Sequence, residues 1–388
     1  MKNRKLLMIP GPIEFDPEVM AAMALPTTSH IAPNFIEWFG QALEDMRKIF
    51  FCEDGQPFIL AGSGTLAMDS AAANLVEPGD HALAVSTGYF TDRFVSILER
   101  YGADVKTVSA PPGDRPSLDQ VEKALKAGNN KLLVATHVDT STGVLSNIQD
   151  LADLSRKYGT LFVVDGVCSI AGESLQMTDW GVDLALTASQ KAIGVPPGLA
   201  LVMAGPRAMA AFKNRRAPVQ NYYADWNNWL PIMEAYQNRK PAYFATPAVN
   251  LVYALHVSLK QILVEGMTAR FTRHVAIQSA AQAAISALGL GQVPCSPEKA
   301  AHTLSAPKYP HNLDSRKFLG EVNKAGVILA GGLHPAIKNE YFRIGHMGSC
   351  SIGDLLTTFG AIEHGLEACG YKSTESSVAA ALNAYYQA

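Results

Sequence analysis

The run Ala185-Leu186-Thr187-Ala188-Ser189-Gln190-Lys191-Ala192-Ile193-Gly194-Val195-Pro196-Pro197-Gly198 decides how the rest of the chain is read. An apolar, strand-like segment stops at a small polar pair. One lysine follows, then a loop rich in glycine and proline. A lysine just beyond a buried strand is partly desolvated, which lowers the pKa of its amine. A neutral amine can attack a carbonyl and form a Schiff base. A surface lysine capping a loop fits the same residues, so the choice falls to the surrounding sequence.

Outward from that run, strand and helix patterns alternate. Strands are expected at residues 58–61, 82–86, 105–108, 131–137, 161–165, 184–187 and 199–204. Helices are expected between them at 66–75, 91–101, 117–127 and 148–158, after an earlier one at 35–50. Such alternation means βαβ units, a largely parallel sheet and helices on both faces. Residues 214–248 break the pattern, being rich in Asn, Trp, Tyr and Pro with little periodicity. A long helical stretch over 249–288 follows, then a smaller α+β segment with strands near 304–306, 327–330 and 342–344 and helices over 315–325 and 354–369. The expected division is an extended arm over 1–17, a large domain over 18–265 and a small C-terminal domain over 266–388.

Bulk properties exclude several functions. Lys+Arg number 32 against Asp+Glu 35, with no basic stripe, so nucleic acid is not an expected partner. No apolar run reaches membrane-spanning length. Five scattered cysteines, never in a CxxC pair, argue against a disulfide framework or a zinc site, and no metal is expected. The opening ten residues are too short for a signal-peptide core and Pro10 interrupts them, and the C-terminal Tyr386-Gln387-Ala388 is not a peroxisomal ending. The expected compartment is the cytoplasm, with a mitochondrial or peroxisomal one still open.

Three further features bear on Lys191. Gly62-Ser63-Gly64-Thr65 lies between a strand and a helix, where glycines admit a ligand and the helix N-terminus favours an anion. It is neither G-x-G-x-x-G nor a Walker loop. Leu161-Phe162-Val163-Val164-Asp165 is an apolar strand ending in a carboxylate. The carboxyl ends of strands in an open α/β sheet line the ligand crevice. Asp165, Lys191, the Gly62–Thr65 turn and His137 therefore share one sheet edge. A phosphate cradle, a buried carboxylate and a lysine at one crevice suit pyridoxal 5′-phosphate, whose ring takes up carbanion electrons when its nitrogen stays protonated.

The chain resembles the class V, fold-type I pyridoxal-phosphate aminotransferases, in particular the alanine–glyoxylate and serine–pyruvate group. The matching segments run in family order over nearly the whole chain: Pro10-Gly11-Pro12, Ala61-Gly62-Ser63-Gly64-Thr65, Thr136-His137-Val138-Asp139-Thr140-Ser141-Thr142-Gly143, Val164-Asp165, Ser189-Gln190-Lys191, Pro196-Pro197-Gly198 and Phe342-Arg343-Ile344-Gly345. The fold implied is a mostly parallel, seven-stranded-type sheet in the large domain with a smaller α+β C-terminal domain. Lys191 would be the Schiff-base lysine and proton shuttle, and Asp165 would pair with the pyridine nitrogen. Ser63, Gly64, Thr65 and Gln190 would hold the phosphate, joined by Tyr243 and Thr246 from a neighbouring subunit of a homodimer with shared active sites. Thr140 would bond the cofactor's 3′-oxygen, Phe90 would stack on its ring, and Arg343 with Gly11 would bind substrate. Two positions depart from the mammalian liver enzymes, Phe90 standing for tryptophan and Thr65 for histidine, and both bring the chain closer to the fungal alanine–glyoxylate branch. The implied reaction moves an amino group from a small amino acid, alanine or serine, to glyoxylate, giving glycine and a keto acid.

Other residues are expected to be quieter. His30 and His346 read as structural, and Cys168 as a packed small residue. Residues 222–229 read as an active-site rim or dimer packing. A lyase of the same fold, such as a cysteine desulfurase, is the rival activity and would need Cys350 as a mobile thiol.

Overall fold

Lys191 sits at the carboxyl end of the central sheet of the molecule, seen in a computed structural model that describes residues 4–373 and 375–387. The sheet has seven strands: β1 (Gln56–Ala61), β2 (His81–Ser86), β3 (Asp104–Ser109), β4 (Leu132–Thr136), β5 (Leu161–Asp165), β6 (Leu184–Ala188) and β7 (Leu199–Ala204). Their order is β1-β7-β6-β5-β4-β2-β3. Strands β2 to β6 pair in parallel, whereas β7 runs antiparallel to both neighbours. The reversal follows from the length of residues 189–198, too few for a crossover helix, so the chain doubles straight back. Strands β4 to β7 are buried almost end to end, as a sheet covered on both faces requires.

Two helices place the anion-facing edge. Helix α1 (Gly64–Leu75) follows β1 and lays Ala67, Ala71 and Ala72 on the sheet, small residues that let it approach closely. Helix α2 (Tyr89–Arg100) follows β2, buries Phe94, Ile97 and Leu98, and keeps Asp92 and Arg93 on its outer side. Both start at the edge that holds Asp165 and Lys191.

The irregular region contains a helix that composition conceals. Helix α3 (Trp226–Gln237) is capped by Asp225, whose carboxylate accepts from Asn227 N, and it buries Trp226, Trp229, Ile232, Met233 and Tyr236. Those five recur at helical spacing, but Pro231 and the run of asparagines mask the period. The long stretch over 249–288 is two helices, α4 (Val249–Glu265) and α5 (Met267–Ala287), broken at Gly266 with φ +83°. Glycine reaches that conformation without strain, and the helix register cannot pass through it.

A second apolar cluster packs Ile277, Ala281, Phe318, Phe342, Ile344 and Phe359 away from the central sheet. Here the expected strand over 327–330 is two short ones. Val327–Ile328 pairs in parallel with Leu6–Leu7, and Ala330–Gly331 pairs with β8 (Phe342–Gly345). The N-terminal arm is thus tied to the C-terminal part of the chain. A last helix, α6 (Ser377–Tyr385), lay outside the expected elements and packs on α5.

Candidate active site

Ser189 closes the loop that carries the lysine. Its hydroxyl donates to Pro196 O at 2.8 Å and accepts from Leu199 N at 3.2 Å. Lys191 is buried, and its Nζ donates to Pro10 O. Desolvation draws the amine below the ordinary lysine range; Cys168 opposes the fall, Arg343 adds to it and Asp165 opposes it. Gly11 presses on the same side chain. A Cβ there would lie 2.6 Å from Lys191 Cδ and 2.9 Å from Nζ, and the residue holds φ +112°. Glycine at this position is a steric requirement of the lysine.

Asp165 ends β5 in register with Thr136 of β4. Its carboxylate accepts from Val167 N at 3.0 Å and from Thr136 Oγ1 at 3.3 Å. Burial pushes the carboxyl up to about 7; the charge of Asp139 adds to the rise, and the two donors and Lys191 oppose it. A carboxylate this deep with only neutral donors favours a cationic partner.

The reading of the sequence gave Asp139 no role, yet it organises one wall. Its Oδ1 accepts from Ser141 N at 2.8 Å and from Ser141 Oγ, and its Oδ2 accepts from Phe90 N at 3.1 Å. The carboxylate therefore binds the start of α2 to the loop of Thr140. A Cβ on Gly88 would fall 2.7 Å from Asp139 Cγ, so the contact also depends on that glycine. The signal was present in the Asp139-Thr140-Ser141 turn, where an aspartate bonds its own backbone two residues on.

The Gly62–Thr65 turn is tight. Gly62 N donates to Gly198 O at 2.8 Å, and a Cβ on Gly64 would lie 2.9 Å from Val167 Cγ2. Ser63 caps α1 without a side-chain hydrogen bond, and both Ser63 and Thr65 are exposed. Gln190 Oε1 is buried with no partner among the described residues. Phe90 is half-buried against the core. Arg93, also missed, donates to Thr65 Oγ1 at 3.1 Å.

Arg343 reaches the chamber from β8. Its Nε donates to Gly331 O at 2.9 Å and its Nη1 to Thr140 O at 3.0 Å. Desolvation lowers its pKa, opposed by Tyr341, Cys168 and Asp139. Tyr341 joins the two parts of the molecule: its hydroxyl accepts from Leu333 N and His334 N, each at 2.9 Å, and donates to Ser141 O. Cys168 is buried beside Thr140 and Thr303, with its thiol raised by desolvation. It is a packed residue, but one that lines the lysine's chamber.

Not every expected residue converges. His137 shares the strand end, and its N donates to Asp165 O at 2.9 Å. Its ring goes elsewhere, into a cavity of about 350 Å³ with Glu173 and His302, because consecutive residues leave a strand on opposite faces. Tyr243 stands 62% exposed with its ring 5.1 Å from that of His30, and Thr246 is exposed; neither bonds to the turn within this protomer, among the described residues. His346 is buried, with Nε2 3.0 Å from Ser305 Oγ. Tyr223 OH donates to Ala61 O at 3.3 Å, so residues 222–229 flank the cradle. Cys350 has its thiol pushed up to about 12 by desolvation, the wrong direction for a nucleophilic thiolate.

Pyridoxal 5′-phosphate fits these residues. Gln190 Oε1, without a partner among the described residues, the glycine-lined turn at the start of α1, the deep carboxylate of Asp165 and the amine of Lys191, its pKa lowered by desolvation, would supply, in order, a polar group, an anion cradle, a partner for a protonated ring nitrogen and an amine for an aldehyde.

Comparison with known proteins agrees. The family model described as Aminotransferase class-V matches residues 18–355. Alanine–glyoxylate aminotransferase 1 of Saccharomyces cerevisiae is 39% identical over 89% of this chain and 93% of its own length. Serine–glyoxylate aminotransferase of Arabidopsis thaliana is 30% identical over 99% and 96%. The crystal structure of an alanine–glyoxylate aminotransferase from Nostoc sp. superposes with a TM-score of 0.87 at 31% identity, covering 94% of this chain and 95% of the other. No helix among the described residues is long and apolar enough to cross a membrane. On sequence, fold and the convergence of Lys191, Asp165 and Arg343, the chain belongs to the class-V aminotransferases, with pyridoxal 5′-phosphate as cofactor.

Proposed function

We propose that the protein transfers the amino group of alanine to glyoxylate, yielding pyruvate and glycine, with the two half-reactions sharing one site. The observation that carries this reading is that a buried lysine, Lys191, lies close enough to Asp165 and Arg343 for the charges of both to act on its amine. The 39% identity to the yeast alanine–glyoxylate enzyme supports the substrate pair. Relatives named for aspartate and for serine stand at 32% and 30% identity, so the donor is the point to test.

Bound in this chamber, the cofactor supplies an aldehyde for an amine and a ring that stabilises negative charge at the substrate Cα. The protein does the rest. Ser63, Gly64, Thr65 and Gln190 would hold the phosphate, and Tyr243 and Thr246 of a second subunit would complete the rim of a homodimeric site. Phe90 would stack on the ring, and Thr140 would bond the 3′-oxygen. Asp165 would pair with the ring nitrogen and favour its protonated form. Arg343 already spends Nε and Nη1 on backbone carbonyls, which fixes the plane of its fork for the substrate carboxylate. Lys191 Nζ, its pKa lowered by desolvation, would be the base that accepts the substrate's Cα proton and the acid that gives it back. Donors screened singly against glyoxylate and against pyruvate, with the visible cofactor absorbance followed, test this. Alanine with glyoxylate should give the highest kcat/KM, and a higher value for serine or aspartate replaces alanine as the donor.

A further inference from the structure

Arg93 lies on the second turn of α2 and reaches across to the first turn of α1. Its Nη1 donates to Thr65 Oγ1 at 3.1 Å and its Nη2 to Tyr89 OH at 3.4 Å. The guanidinium carbon stands 5.1 Å from the centre of the Tyr89 ring and 5.0 Å from that of Phe90. Two residues expected to meet the cofactor, Thr65 and Phe90, are therefore gathered with Tyr89 around one cation.

That cation has no carboxylate partner among the described residues. The two nearest acids along its helices are engaged. Asp92 accepts from Ser86 Oγ at 2.8 Å. Asp69, one turn beyond Thr65, accepts from Tyr101 OH at 3.0 Å and Asn221 Nδ2 at 2.8 Å. Meanwhile Ser63, Gly64, Thr65 and Gln190 are all neutral. A phosphate ester near its second ionisation carries close to two negative charges. Backbone amides and one helix terminus balance only about half a charge.

Resting on the reading of the Gly62–Thr65 turn as the phosphate cradle, we propose that Arg93 is the countercharge of the cofactor phosphate and the residue that positions Thr65 toward it. Stacking on Tyr89 and Phe90 holds the guanidinium flat, which keeps its remaining N–H groups aimed past Thr65. Thr65 then presents its lone pairs to Arg93 and its O–H outward to the phosphate. The pairing explains how a threonine, too short to carry charge itself, suffices at this place in the cradle.

The experiment titrates the cofactor-free full-length protein with pyridoxal 5′-phosphate, with pyridoxal lacking the phosphate, and with inorganic phosphate as competitor. Arg93→Gln should weaken pyridoxal 5′-phosphate by about 10- to 100-fold and leave pyridoxal within about two-fold of wild type. Competition by inorganic phosphate should fall by the same factor, and Arg93→Lys should recover part of both losses. Unchanged pyridoxal binding also reports an intact fold. An equal loss for both ligands would mean that Arg93 serves only the ring stack, and no loss for either would mean that it is a bystander; each overturns the proposal. Wild-type protein that binds pyridoxal 5′-phosphate no better than pyridoxal overturns the cradle itself, and with it this role.

Discussion

The two ends of the candidate site differ in how finished they are. Around Lys191 and Asp165 the protein is closed: both residues are buried, the amine is held by Pro10 O, and the carboxylate has donors from Thr136 and Val167. Around Ser63 and Thr65 it is open, with both exposed and Tyr243 turned toward solvent, while Gln190 Oε1 is buried without a partner among the described residues. On the proposed function the inner end would move protons, in a dry, fixed setting that shifts pKa values. The outer end would grip an anion and gain partners from it. Inner substitutions should therefore alter turnover, and outer ones cofactor retention.

Removing Lys191 is the sharpest way to break that comparison. Lys191→Ala should lower kcat by roughly 1,000-fold or more while the cofactor still binds. Retained turnover would show that the closed end is not where the proton moves. Asp165→Asn comes next, with a roughly 100-fold loss for a missing charge-assisted bond. The same variant tests the electrostatics. The folded protein raises this carboxyl from 3.8 to about 7, burial outweighing the opposing charge of Lys191. A raised pKa means the folded state holds the proton more tightly. The stabilisation is full below the ordinary value and is lost as pH rises through about 7. Cofactor-free Asp165→Asn should thus gain in melting temperature over wild type as pH rises from about 4 to about 7, and the gain should level off above that. Parallel melting profiles across that window would refute the assignment.

Arg343→Ala follows, with about 2–4 kcal/mol lost from kcat/KM for every amino acid as the buried carboxylate partner disappears. An unchanged KM would move the carboxylate anchor elsewhere. Gly11→Ala should be milder, with about 1–3 kcal/mol of strain at its positive φ and a displaced Lys191, read as a fall in stability and in the rate of cofactor capture. The smallest effect belongs to the rim. Tyr243→Phe should raise the cofactor dissociation constant by about 5-fold for one lost hydrogen bond and leave kcat alone. A fall in kcat instead would erase the distinction between the two ends.

How much of this was legible depends on the range of the interactions. The strand ends at Asp165 and, within one residue, at Ala188 follow from local apolar runs, so the sheet edge shared by Lys191 and Asp165 could be read directly. The 214–248 region misled because Pro231 and its asparagines hide a helix whose stability comes from burying Trp226, Trp229 and Tyr236. Arg93 and Asp139 went unassigned for a different reason. Each acts on a residue distant in sequence, Thr65 in one case and Phe90 in the other, and no periodicity carries such a contact. His137 does share the expected sheet edge, but its ring turns away from Asp165, since side chains alternate faces and it stands one residue past Thr136.

The arm before Pro12 carries a consequence for how the protein comes into being. Leu6–Leu7 pairs with Val327–Ile328, Gly345 N donates to Met8 O at 2.9 Å, and Pro10 O receives the proton-bearing end of Lys191. The arm is thus seated by segments that follow the whole central sheet in the chain. A nascent chain that has completed its seven-stranded sheet still lacks the ledge on which the lysine rests. A chain cut before Gly345 would lose the bond that holds Met8, and with it the seat of Pro10 beside Lys191, so it should show no turnover even where its seven strands fold.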